Sequence, residues 1–215
     1  MIVTIDGPAG TGKSTAARAL AERLGFEYLD TGAMYRAVAI LCVEDGIDLE
    51  SDAAAARAQA RPITFVDGRT LVGDRDVTDL LRTPEASRAA SLAARHPGVR
   101  AALVEQQRVI AAGRNIVCEG RDQGTVAFPR AGCKFFLTAS PEERARRRQQ
   151  QLERAGQAVP FEELLRQQRE RDERDASRSV APLRPADDAI TLDTTRLTSG
   201  DVLDQLEAHV RRRMD

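Results

Sequence analysis

The chain has 215 residues, 42% of them hydrophobic, and a formal net charge of −1, enough for one compact domain or a domain carrying an insertion. Charge this evenly balanced leaves no electrostatic footprint for nucleic acid or a membrane surface, and no apolar run approaches the roughly 20 residues of a bilayer span. Cys42, Cys118 and Cys133, odd in number and without metal-ligand spacing, are expected to be buried free thiols of a cytoplasmic protein; His96 and His209, the only histidines, neighbour no nucleophile or ligand cluster.

The first element is a strand over Ile2-Val3-Thr4-Ile5, with no basic-then-apolar leader ahead of it. A glycine-rich loop, Gly7 to Thr15, leads into a helix over 13–24. Helical periodicity continues over 31–45 and through the alanine-rich run at 53–60. Between Ile63 and Leu81, short β-type runs are separated by Asp67-Gly68 and Gly73-Asp74, and Asp-Gly between β runs signals a hairpin. Residues 61–96 are therefore read as a small antiparallel insert followed by a short helix. A helix over 97–112, strands over 115–118 and 133–138, helices over 141–155 and 160–175, a strand over 189–193 and a helix over 199–214 complete the chain. Ser140-Pro141-Glu142-Glu143 has the form of a helix start: an N-cap, proline at the first helical position, then acids. Alternating strands and helices predict an α/β fold with a central parallel sheet flanked by helices.

The chain has 30 arginines but only two lysines, and one of the lysines, Lys13, falls in the glycine-rich loop. Gly7-Pro8-Ala9-Gly10-Thr11-Gly12-Lys13-Ser14 fits G-x-x-x-x-G-K-[ST], the P-loop. Phosphates that touch several backbone N–H groups at once require a wide turn free of side chains. The helix starting near Lys13 points its positive end at the anion. Ser14 can place its hydroxyl on Mg²⁺, Lys13 can reach the β- and γ-phosphates, and Thr15 closes the loop. A lysine is a compact mobile charge that can follow a moving phosphoryl group, whereas arginine is a rigid fork. The motif implies a nucleoside triphosphate and does not name the reaction.

Three further stretches could grip a second anion. "DTGAMYR", Asp30 to Arg36, opens a helix with Thr31 and Gly32. "EGRDQGTVAFP", Glu119 to Pro129, lies just beyond a strand, where ligands of open α/β sheets bind, so Arg121 and Asp122 are expected beside the P-loop. In "RERDERDASRSVAPL", Arg171, Arg174, Asp175 and Arg178 fall at i, i+3, i+4 and i+7, one face of a predicted helix. No guanine-reading N-K-x-D run is present, and the shortage of aromatic residues argues against a nucleic-acid-binding ATPase.

Together "IDGPAGTGKST", "LDTGAMYRAVA", "GRDQGTVAFPRA" and "RDERDASRSVAPL" followed by "DTT" resemble the bacterial cytidylate kinase family, colinearly over essentially the whole chain. The resemblance implies the P-loop nucleoside monophosphate kinase fold. The 61–96 insert would bind the monophosphate, and a helical lid would cover 150–178. It implies transfer of the ATP γ-phosphate to CMP or dCMP with Mg²⁺, by a monomer acting on small molecules. By the same resemblance Arg36, Arg121 and Arg178 hold the acceptor phosphate, and Ser91, Arg100 and Asp122 read cytosine. Arg171 and Asp175 lie near the ribose, and Thr31 lies close to the acceptor. Lys13, Arg121, Asp175 and Arg178 form the catalytic set, and one of the arginines following Ser140 (Arg144, Arg147 or Arg148) approaches ATP. UMP or AMP as acceptor is the rival expectation.

Overall fold

A computed structural model describes residues 1–214 apart from Asp67, Ala155 and Ser179. The chain divides into two compact units, one of residues 1–29 with 113–215 and the other of residues 30–112.

The first unit is built on a five-stranded sheet in the order β2-β6-β1-β7-β8, formed by β1 (Ile2–Asp6), β2 (Glu27–Asp30), β6 (Ile116–Gly120), β7 (Cys133–Thr138) and β8 (Ile190–Asp193). β1 runs parallel to β6 and to β7, and β7 parallel to β8. The central strands are buried on both faces, as their unbroken apolar runs require. Val3, Ile5, Val117, Phe135 and Leu137 pack with Ala17 and Leu20 of α1 (Lys13–Leu24) and with Leu206 and Val210 of α8 (Ser199–Met214). α6 (Pro141–Arg154) and α7 (Phe161–Ala176) share a smaller core of Ala145, Leu152, Leu164 and Leu165, flanked by Val159 and Phe161. The start of α6 is as the sequence predicts: the Ser140 hydroxyl accepts the Glu143 N–H at 3.2 Å.

The second unit contains α2 (Thr31–Glu44), α3 (Asp52–Ala60), α4 (Pro84–Ala93) and α5 (Pro97–Ala111). It also holds a three-stranded antiparallel sheet of β3 (Ile63–Val66), β4 (Arg69–Val72) and β5 (Arg75–Asp76). Val66 pairs with Arg69 and Val72 with Arg75, so each connection is two residues long. Gly68 and Gly73 take the positive φ such tight turns demand (75° and 58°); Asp67 lies outside the described residues. The 61–96 segment falls inside this unit.

β2 was absent from the predicted elements: it is four residues long and buries only Leu29 fully, too little pattern to register as a strand. α7 ends at Ala176, so Arg178 is not on the helical face shared by Arg171, Arg174 and Asp175. All three cysteines are free and buried, and burial raises each thiol, which keeps them protonated and inert.

Candidate active site

The sharp turn after β1 depends on glycine. Gly7, Gly10 and Gly12 all have positive φ (143°, 82° and 89°). A Cβ on Gly7 would lie 2.1 Å from the Leu137 carbonyl oxygen, and one on Gly10 would lie 3.0 Å from Arg144 Cβ. The loop is thus pressed between β7 and α6, which no larger residue permits.

Its outward carbonyls are taken by cationic side chains. Lys13 Nζ donates to the Pro8 carbonyl at 2.7 Å, and Thr11 Oγ1 to the same oxygen at 3.1 Å. Arg144 Nη1 donates to the Ala9 carbonyl at 3.1 Å, and Arg147 Nη1 to the Thr11 carbonyl at 3.3 Å. Arg144 is held in turn by Ala139 O, Gln168 Oε1 and both carboxylate oxygens of Asp172. Arg147 is held by Glu143 and by the side chain and carbonyl of Thr194, whose hydroxyl also reaches Thr11 O at 3.0 Å. These two arginines therefore brace the loop backbone, while Arg148 is half-buried.

Lys13 is buried. Its ammonium is lowered to about 7, chiefly by burial and also by the Arg121 and Arg171 guanidiniums, while Glu119 and Asp6 act the other way. Asp6, at the end of β1, is pushed up to about 6 by burial, against the hydrogen bonds it receives from the Gly124 and Gln123 N–H groups.

Beyond the end of β6, Arg121 Nε donates to Asp175 Oδ2 at 3.0 Å across 54 residues of sequence. Arg178 Nη2 donates to the other oxygen of Asp175. Asp175 is 1% exposed. Burial by itself would raise its carboxyl, but Arg121, Arg178 and Arg171 hold it below the ordinary carboxylate range. One buried carboxylate thus binds two guanidiniums and feels the charge of a third, Arg171; Arg121 and Arg171 also act on Lys13. Asp122, likewise buried, follows Arg121, and its carbonyl accepts the N–H groups of Val126 and Ala127 in a π-helical turn over Gln123–Ala127.

Within the second unit, Asp30 caps α2 by accepting the Ala33 N–H at 2.8 Å and binds Arg36 Nη2 at 2.9 Å through its other oxygen. The arginine that interrupts an apolar helix is therefore paired, and Thr31 is buried at the first turn. Ser91 on α4 and Arg100 on α5 are buried; the Ser91 hydroxyl has no hydrogen-bond partner among the described residues. The Arg100 guanidinium lies 5.7 Å from the centre of the Tyr35 ring. The sequence-predicted site residues thus divide, with Gly7 to Thr15, Arg121, Asp122, Arg171, Asp175 and Arg178 in the first unit and Thr31, Arg36, Ser91 and Arg100 in the second.

The model of the cytidylate kinase family matches residues 3–212. The chain belongs to the cytidylate kinase family. It is 47% identical over 220 residues to a cytidylate kinase of Carboxydothermus hydrogenoformans, covering 100% of this chain and 99% of that one. It is 48% identical over 214 residues to one of Rhodopirellula baltica, covering 98% and 93%. Among solved structures, a shikimate kinase from Bacteroides thetaiotaomicron superposes with a TM-score of 0.51, covering 98% of each chain at 14% identity, a likeness of fold alone. The site of this cytidylate kinase family member also contains residues that the sequence reading passed over. They are Asp6 and Glu119 at two strand ends, Asp172 behind Arg144, and Thr194 behind Arg147. A lone buried carboxylate closing an apolar strand was the available signal for the first two.

Proposed function

We propose that the chain transfers the γ-phosphoryl group of ATP to CMP or dCMP, giving ADP and the nucleoside diphosphate. The observation that carries this is family membership along nearly the whole chain, joined to a cluster of Arg121, Arg171 and Arg178 around Asp175, of which Arg121 and Arg171 also act electrostatically on the P-loop lysine.

In this reading the β- and γ-phosphates of ATP lie against the amides of Gly7 to Thr15, with α1 directing its positive end at them. The anion displaces Lys13 from the Pro8 carbonyl and restores its charge. Arg121 and Arg178, with Arg36 of the second unit, hold the acceptor phosphate in line, and Arg171 and Asp175 lie by the ribose. Ser91, Arg100 and Asp122 read cytosine. Thr31, Arg36, Ser91 and Arg100 enter this reading through the resemblance of their motifs. An acceptor phosphate oxygen is already anionic near neutral pH, so no general base is needed. Positioning and charge stabilisation make up the catalysis. Segments 61–96 and 150–178 close over the substrates and exclude water, which would otherwise hydrolyse ATP.

Ser14, an exposed residue in the first turn of α1, would hold Mg²⁺ through its hydroxyl. Among the described residues no group of three His, Cys, Asp or Glu side chains could hold a metal ion. When bound, the ion neutralises the charge of the phosphates. The chain is proposed to act as a cytoplasmic monomer; no helix among the described residues is long and apolar enough to cross a membrane.

The test is ADP release, measured by a coupled assay, with CMP, dCMP, UMP and AMP at equal concentration. CMP and dCMP should dominate. A preference for AMP would overturn the cytosine reading and leave the P-loop assignment standing.

A further inference from the structure

Asp6 is the last residue of β1, immediately before the P-loop. Its carboxylate is buried, and each of its oxygens accepts a different backbone N–H: Oδ1 from Gln123 at 2.9 Å and Oδ2 from Gly124 at 2.7 Å. These two donors open the π-helical turn over Gln123–Ala127, and Arg121 and Asp122 directly precede them. Gly124 is seated against the same floor. A Cβ there would lie 3.1 Å from Thr4 Oγ1, 3.3 Å from Lys134 Cδ and 3.4 Å from Asp6 Oδ2.

Only a carboxylate can receive two adjacent backbone N–H groups in this way. An asparagine of the same shape offers one acceptor and turns an NH₂ toward the other N–H. The arrangement places a buried charge where an uncharged side chain would be cheaper to bury. What the charge secures is the course of the chain at residues 121–124, and with it the direction of Arg121 toward Asp175. The loop that receives ATP phosphates is braced separately, by Arg144 and Arg147 from α6.

We propose that Asp6 is a positioning residue for acceptor recognition: it ties the turn carrying Arg121 and Asp122 to the end of the P-loop strand, so that the two substrate-binding segments keep a constant spacing. This rests on the acceptor reading of Arg121 and Asp122 given above. Asp6 itself touches neither nucleotide. Its effect runs through the amides of Gln123 and Gly124, and it belongs on the KM for CMP and on base discrimination.

The test is steady-state kinetics of Asp6→Asn with CMP and UMP, alongside ATP affinity in the absence of acceptor. Loss of one charge-assisted hydrogen bond should raise the KM for CMP by about tenfold or more and narrow the preference for CMP over UMP, with ATP affinity changed by less than about threefold. An unchanged KM for CMP, or CMP and ATP binding weakened in parallel, overturns the proposal. If Asp6→Asn does not fold, Gly124→Ala keeps the carboxylate but lifts the turn from its floor, and the same selective rise for CMP is expected. Asp122→Ala separates the two levels. If it leaves CMP use and base discrimination untouched, the acceptor reading fails and this inference falls with it. If it impairs CMP use while Asp6→Asn and Gly124→Ala do not, the inference alone fails.

Discussion

Lys13 supplies a prediction that can be worked through from the structure. Its ammonium is lowered from 10.5 to about 7, chiefly by burial and also by Arg121 and Arg171. Between those two values the folded chain holds fewer protons at Lys13 than the unfolded chain does. By linkage, Lys13 therefore opposes folding below about 7, and the opposition fades as pH rises toward 10.5. A bound triphosphate reverses the balance, because several negative charges against the ammonium restore its proton. At pH 8 a group titrating near 7 is about one-tenth protonated, and in the complex it is essentially fully protonated, so binding takes up about 0.9 proton. ATP affinity should accordingly weaken by up to about tenfold per pH unit above 7, about 1.4 kcal/mol each. Isothermal titration calorimetry at pH 8 in buffers of different ionisation enthalpy reads the uptake directly. At that pH the phosphates of ATP and the Asp6 carboxyl are already ionised and contribute little. Lys13→Arg, whose guanidinium stays protonated at any working pH, should bind ATP without taking up a proton. Zero uptake in the unaltered chain, or equal uptake in Lys13→Arg, would refute the reasoning.

Three further outcomes are expected. Arg144→Met removes a buried guanidinium that joins the P-loop, α6 and Asp172, and should destabilise the fold by about 3 kcal/mol; urea unfolding of the single variants and of Arg144→Met with Asp172→Ala measures it, and a loss below about 1 kcal/mol contradicts the brace. Gly7→Ala should be far more damaging than Gly25→Ala: the first drives a Cβ to 2.1 Å from Leu137 O, whereas the second, at φ 66°, meets nothing within 4 Å. The expected losses are about 3 and about 1 kcal/mol, and equal shifts in unfolding midpoint would dismiss the steric argument. Asp175, with its carboxyl held low by three arginines, stabilises the fold above the unfolded-chain value of about 3.9, a contribution lost as pH falls through the depressed folded value. Asp175→Asn should therefore lower stability at pH 6 and flatten its decline between pH 5 and 2, measured as urea midpoints.

The amino-acid sequence by itself determined whatever depends on neighbours along the chain. Three glycines, a lysine and a serine between a strand and a helix define a phosphate loop, because backbone conformation and helix polarity are local properties. The apolar runs of β1, β6 and β7 and the turns at Gly68 and Gly73 were legible for the same reason, as was the cap at Ser140. Tertiary structure alone decided how distant charges are shared. Arg144 and Arg147 sit in a run of arginines with no distinguishing spacing, and only the packing of α6 against the P-loop brings them to its carbonyls. Asp6 and Gly124 are brought together across 118 residues because β6, which leads into the turn, lies beside β1 in the sheet. Arg178 joins Asp175 from beyond the end of α7, where helical periodicity no longer applies. β2 was missed because a four-residue strand takes its identity from the sheet edge that receives it. Periodicity reports which face of an element is buried, but the partner of a buried charge is set by the order of the strands, and that order is a property of the whole fold.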